Sequence, residues 1–147
     1  MKTSWRTIAL VLGSGWAASL ALPVATFGEA QGELWYGWTV LVLGWLGFFL
    51  GQFAWAANLL FAAALVLLVR GRPPLVWGLM IGVLTSLLAA HALSWTTIYQ
   101  TGGGTASVLA YWSGYYLWVL VTFAGGAALC LASLGEVRQP AATTRTV

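Results

Sequence analysis

His91 is the single histidine of the chain, with Ser94 three residues on, and an imidazole of this kind can take the axial position on a haem iron or a magnesium porphyrin. Further along, Tyr111, Trp112, Tyr115, Tyr116 and Trp118 crowd into residues 111–118. On a helix, Tyr111, Tyr115 and Trp118 fall at i, i+4 and i+7 and form one stripe, flanked by Trp112 and Tyr116. Such a surface suits a second membrane protein or a flat hydrophobic ligand, a porphyrin-like or carotenoid-like pigment, as well as plain packing at a membrane interface. The imidazole equally serves as a hydrogen-bonding group between helices. Two amides, Gln52 and Asn58, stand in an otherwise apolar stretch, where they can satisfy backbone groups freed by a helix break or contact a ligand.

Other chemistry is excluded by what is missing. One His, the lone Cys130 and distant glutamates cannot assemble a conventional zinc site, and one histidine cannot supply both axial ligands of a haem. Cys130 reads as a small buried hydrophobe. No paired carboxylates and no Ser or Cys beside a plausible base are present, so no catalytic residue is assigned. The Gly102-Gly103-Gly104 run lacks the strand, helix and lysine context of a phosphate loop and reads as a flexible outer turn. Ion-coupled transport needs titratable groups within the membrane, whereas Glu29, Glu33 and Glu136 all lie outside the apolar segments.

These residues sit in a chain of 147 that is 61% hydrophobic and 6% charged, against about 25% charged for a soluble domain, so it belongs with membrane proteins. The six cations are scattered, which argues against nucleic acid and makes them topology signals. Lys2 and Arg6 precede an apolar segment at about 7–27, too long for a signal-peptide core and read as a retained anchor. Further spans are expected at about 53–69, 75–94 and 108–134, with a tail over 135–147.

The stretch from Leu34 to Val69 is uncharged, too long for one crossing of about 20 residues and too short for two. An odd number of crossings there puts all six cations on one face, as the positive-inside rule asks, so one crossing is expected. The break falls at Gly51-Gln52, with Asn58 supporting it, and 36–50 becomes a short interfacial or re-entrant helix. Small-residue pairs at Gly13 and Ala17, Gly47 and Gly51, and Gly78 and Gly82 mark close helix packing, within the bundle or against a partner.

Gly44-Trp45-Leu46-Gly47, then Gly51-Gln52-Phe53-Ala54-Trp55-Ala56-Ala57-Asn58, and Gly114-Tyr115-Tyr116-Leu117-Trp118 resemble small bacterial inner-membrane proteins in which a GW-x-G segment and an AW-x-AN-like segment precede a Leu-rich helix. The resemblance implies localisation and no activity. Leu59 stands where the pattern has proline.

The sequence therefore predicts an all-α helical bundle in the bacterial inner membrane, forming a single domain. It has four transmembrane helices plus one short interfacial or re-entrant helix, and both termini are cytoplasmic. The expected role is a non-catalytic subunit or accessory factor of a larger membrane complex, with lipid and other integral membrane proteins as partners and no cofactor. The alternative is a carrier of a porphyrin- or carotenoid-like pigment near His91 and the outer aromatics. A third reading is a small immunity or regulatory protein.

Overall fold

Pro23 decides where the first helix stops. In the computed structural model, which describes residues 4–28, 32–71, 73–100 and 104–137, helix α1 (Trp5–Ala21) starts at Ser4, whose hydroxyl accepts from the Arg6 N–H at 3.2 Å. It ends at Leu22, which is extended at φ −93° and ψ 153° because a residue before proline is pushed out of the helical region. Lys2, Glu29, Arg72, Arg138, Arg145, Gly102 and Gly103 lie outside the described residues.

Helix α1 gives way to strand β1 (Pro23–Phe27) where the end of a span was expected, and β1 pairs with β2 (Glu33–Tyr36). A second hairpin, β3 (Thr97–Gln100) and β4 (Gly104–Tyr111), joins it through β1 and β4, giving an antiparallel sheet in the order β2-β1-β4-β3. The all-α expectation is thus corrected to a mostly helical fold with a small antiparallel sheet. The reason is local: buried Ala106 lies between exposed Thr105 and Ser107, the period-2 pattern of a half-buried strand.

Between the hairpins run α2 (Gly37–Leu43), a 3-10 helix (Gly44–Leu50), a short 3-10 turn (Ala54–Ala56), α3 (Ala57–Arg70) and α4 (Leu75–His91), the last prolonged by a 3-10 turn (Ala92–Ser94). Helix α5 (Ser113–Val137) follows β4. Gly51 makes the predicted break, at φ +72°, a conformation that side chains with a Cβ rarely adopt. Among the described residues, only Leu75–Ser94 and Ser113–Gly135 are long and apolar enough to cross a membrane, rather than the four segments expected. Helix α1 is left with 17 residues because Pro23 diverts it into β1. The break at Gly51 shortens the apolar helix before Arg70 in the same way.

Helices α4 and α5 approach most closely. A Cβ on Gly82 would lie 2.6 Å from the Gly126 carbonyl oxygen, and one on Gly78 would collide with Ser133 Oγ. A Cβ on Gly13 would lie 3.4 Å from Leu65 Cδ1 of α3, while Ala17 is exposed. Gly47 and Gly51 do not form a packing pair: the first lies in the 3-10 helix beside Gln52, the second faces open space. One core, built from Ala9, Ala64, Leu68, Leu129 and Ala132, fills the bundle. A second, from Val24, Ala25, Phe27, Ala92, Ala106 and Tyr115, joins helices to sheet. At the end away from the sheet, Arg6 Nε donates to the Val69 carbonyl at 3.1 Å, which brings Arg6 next to Arg70.

Candidate functional site

The helices open beneath the sheet. The chain from β2 through α2 and the 3-10 helix arches over the gap, seated by Gly37, whose N–H donates to the Leu22 carbonyl at 3.0 Å and whose missing Cβ lets it rest on the Ser19 and Leu20 backbone. Under the arch lies a cavity of about 390 Å³. Its walls come from α1 (Ser19, Leu20), the sheet (Val24, Trp35, Ile98), the arch (Val40, Leu41, Leu46), α3 (Asn58) and α5 (Tyr115, Trp118), with Gln52, Trp55 and Trp95 between them. Exposed Glu33 is also part of the wall.

Asn58 is the polar centre of this region. Its Oδ1 accepts the indole N–H of Trp16 from α1 at 3.0 Å and that of Trp118 from α5 at 2.8 Å, while its Nδ2 donates to the Trp55 carbonyl at 3.0 Å. One amide thus ties three helices together. Three further donors are engaged: Trp55 Nε1 donates to Leu41 O at 2.8 Å, Trp95 Nε1 to Thr97 O at 2.9 Å, and Tyr115 Oη to Ala92 O at 2.8 Å. Gln52 is the exception, since its Oε1 is sealed from solvent without a hydrogen-bond partner.

Aromatic contacts run along the sheet side. Phe27 packs edge-on against Trp35 at 5.1 Å and tilted against Trp95 at 5.4 Å, and Trp95 in turn lies 6.3 Å from Tyr115. Tyr111 stacks on Tyr115 at 4.5 Å, although it is the last residue of β4 and not part of the helix, so the expected helical stripe is made across a strand-to-helix junction. Burial, and secondarily the neighbouring Tyr116, push the Tyr111 hydroxyl above the usual tyrosine range. Trp112 and Tyr116 are exposed, and Trp112 Nε1 donates to Thr26 Oγ1 at 2.8 Å, pinning the start of α5 to β1.

Of the residues singled out in the sequence, Gly47, Gln52, Asn58, Tyr115 and Trp118 meet at the cavity. His91 does not line it. Its Nε2 faces the Gly51 carbonyl at 3.3 Å, its Nδ1 faces Ser94 Oγ at 3.3 Å, and its ring stacks on Phe53. The imidazole therefore bridges the Gly51 carbonyl and Ser94 and braces the chain break. Trp16, Trp35, Trp55, Trp95 and Glu33 are site residues that the sequence alone does not assign to a site. Comparison with protein families, curated proteins and solved structures finds no match to this chain.

Proposed function

We propose that this chain is a four-crossing protein of the bacterial inner membrane that acts without catalysis, by holding an apolar ligand in the cavity beneath its extracytoplasmic sheet. The cavity carries this reading: about 390 Å³ of concave, mostly apolar and aromatic space with a few placed polar groups is the form of a small-molecule site. The membrane setting is supported by the surface. Only 28% of the apolar window in α4 and 39% of that in α5 are buried, so most of their apolar area faces outward and needs lipid rather than water. At 1.5 Å per residue, the 17 residues of α1 cover about 25 Å, a shortfall from about 30 Å that local thinning of the bilayer accommodates. Arg6 and Arg70 at the end opposite the sheet fit a cytoplasmic placement of both termini.

The test is to reconstitute the protein in lipid nanodiscs, extract it with organic solvent and compare the recovered small molecules with those from Leu46→Trp, which places an indole in the cavity. A stoichiometric compound in the wild type, lost in the variant, supports the reading. Identical bulk lipid from both overturns it.

A second reading, an accessory subunit of a membrane complex, is favoured by one observation: Trp38, Trp45, Phe48, Phe49 and Phe53 all lie exposed on or beside the arch. A C-terminal tag and gentle extraction from native membrane test it, since this reading requires one defined integral membrane protein in stoichiometric amount.

A further inference from the structure

Resting on the ligand-binding reading above, we infer that the occupant is a free organic cation, a methylated ammonium on an apolar body, held by aromatic rings and the Glu33 carboxylate. Two features of the wall carry this. The first is its rings: Trp35 comes from β2, Trp55 from the turn before α3, Trp95 from the end of α4, and Tyr115 and Trp118 from α5. The faces of such rings are negative and attract a cation, and several rings around one space form the kind of cage that takes quaternary ammonium groups. The indole N–H groups of Trp55, Trp95 and Trp118 are tied to protein oxygens at 2.8–2.9 Å, so these rings are held in place before a ligand arrives. A methylated ammonium suits the site better than a bare one, which is compact and strongly hydrated.

The second feature is charge. Glu33 is the one formally charged residue of the lining, where the described residues include no Lys, Arg or His. It pairs with Phe27 and Trp35 pairs with Ala25 in unbroken register, so Glu33 and Trp35, two apart, leave the same face of β2. A cation thus meets a carboxylate and an indole side by side. An anion would be desolvated without a counter-charge and repelled by Glu33. At roughly 30 Å³ per water-sized group the cavity takes about 13 groups, enough for an aryl or short alkyl ammonium and too few for the two acyl chains of a phospholipid.

The experiment uses the full chain in phosphatidylglycerol nanodiscs with three aryl diazirine probes that differ in one group. One carries a trimethylammonium-methyl group, the second its neutral isostere with carbon in place of nitrogen, and the third an acetate. Labelled residues are located by mass spectrometry. Labelling of Leu46 and Ile98 in the cavity is divided by that of Leu87, exposed on α4, which cancels differences in partition into lipid. The ratio for the cation is expected to exceed that for the isostere about fivefold or more, and the acetate is expected to fall below both. Glu33→Gln should lower the ratio for the cation about two- to fivefold, the range of an exposed ion pair. Trp35→Leu should lower it about three- to tenfold. In both variants the isostere should keep its ratio, which also shows that they are folded. Equal ratios for cation and isostere, or a cation preference untouched by Glu33→Gln and Trp35→Leu, overturn the inference while leaving the ligand cavity standing. Equal cation ratios in phosphatidylglycerol and phosphatidylcholine nanodiscs support a free compound, whereas loss of labelling in phosphatidylcholine means that a lipid ammonium competes and overturns that assignment. If no probe labels the cavity above Leu87, the ligand-binding reading falls as well.

Discussion

Replacing Asn58 by Leu tests the organisation of the bundle at one atom. The substitution nearly conserves volume but removes an acceptor shared by Trp16 and Trp118, at 3.0 and 2.8 Å, and a donor to the Trp55 carbonyl at 3.0 Å. Hydrogen bonds of this kind are worth about 0.5–1.5 kcal/mol each in water and about 0.6 kcal/mol on average between membrane helices. Three lost together give about 2–4 kcal/mol, because the two stranded indole N–H groups find little water in a half-buried, aromatic setting. The assay is reversible unfolding in mixed micelles followed by tryptophan emission. Trp118→Phe alone should cost about 1 kcal/mol through its bond and should cost almost nothing more in the Asn58→Leu background, since the bond is already gone. Strict additivity in this cycle, or a cost for Asn58→Leu below about 0.5 kcal/mol, would refute the three-helix hub.

Thr122 is fully buried in α5 and its hydroxyl has no partner, so Thr122→Val should be neutral or stabilise by about 1 kcal/mol in the same unfolding assay. Gly82→Val places a branched side chain where a Cβ already lies 2.6 Å from the Gly126 carbonyl, and a loss of about 1–3 kcal/mol is expected as α4 and α5 are forced apart. Tyr111 predicts an alkaline effect. Its hydroxyl titrates above the usual 10.0, so the folded state keeps a proton that the unfolded chain releases, and the stability held below pH 10.0 declines as pH rises beyond it. Tyr111→Phe should flatten that decline in thermal melts taken between about pH 9 and pH 11.

Helices α4 and α5 were readable because no charge interrupts residues 73–135, and the runs 75–93 and 113–135 are each apolar and long enough to form a helix. The sheet was harder to see. Residues 23–27 and 104–111 are apolar enough to be absorbed into neighbouring spans, and hydropathy averaged over a span hides a strand of five or eight residues. Two local signals did point to it: Pro23 at the end of the first apolar segment, and the polar-apolar alternation around Ala106. The amides Gln52 and Asn58 were legible as exceptions in an apolar run. Their partners were not, because Trp16 and Trp118 lie 42 and 60 residues from Asn58 in sequence, and only the packing of α1 and α5 against α3 brings them together. The same limit applied to His91, whose type suggests a ligand while its position beside Gly51 makes it a brace.

The size of the cavity bears on whether it is a packing fault. A dry, sealed void of 390 Å³ would cost about 9 kcal/mol at about 24 cal/mol per Å³, comparable to the whole stability of a small protein. Exposed Glu33 in the wall shows that the space is not sealed, so the fold does not bear this full cost, but water is a poor occupant against walls of Leu, Val, Ile and Trp. On the ligand-binding proposal an apolar occupant takes the place of that water, and the wall can be made to supply it. Leu46→Trp fills part of the cavity from the 3-10 helix, so it should raise the melting temperature of the protein stripped of ligand and, in the same variant, abolish the stabilisation expected of the wild type on binding an apolar ligand. A site kept open for a ligand trades stability in this direction. Destabilisation by Leu46→Trp would mean that the space is filled by motion of the arch in the free protein, and the trade would not exist.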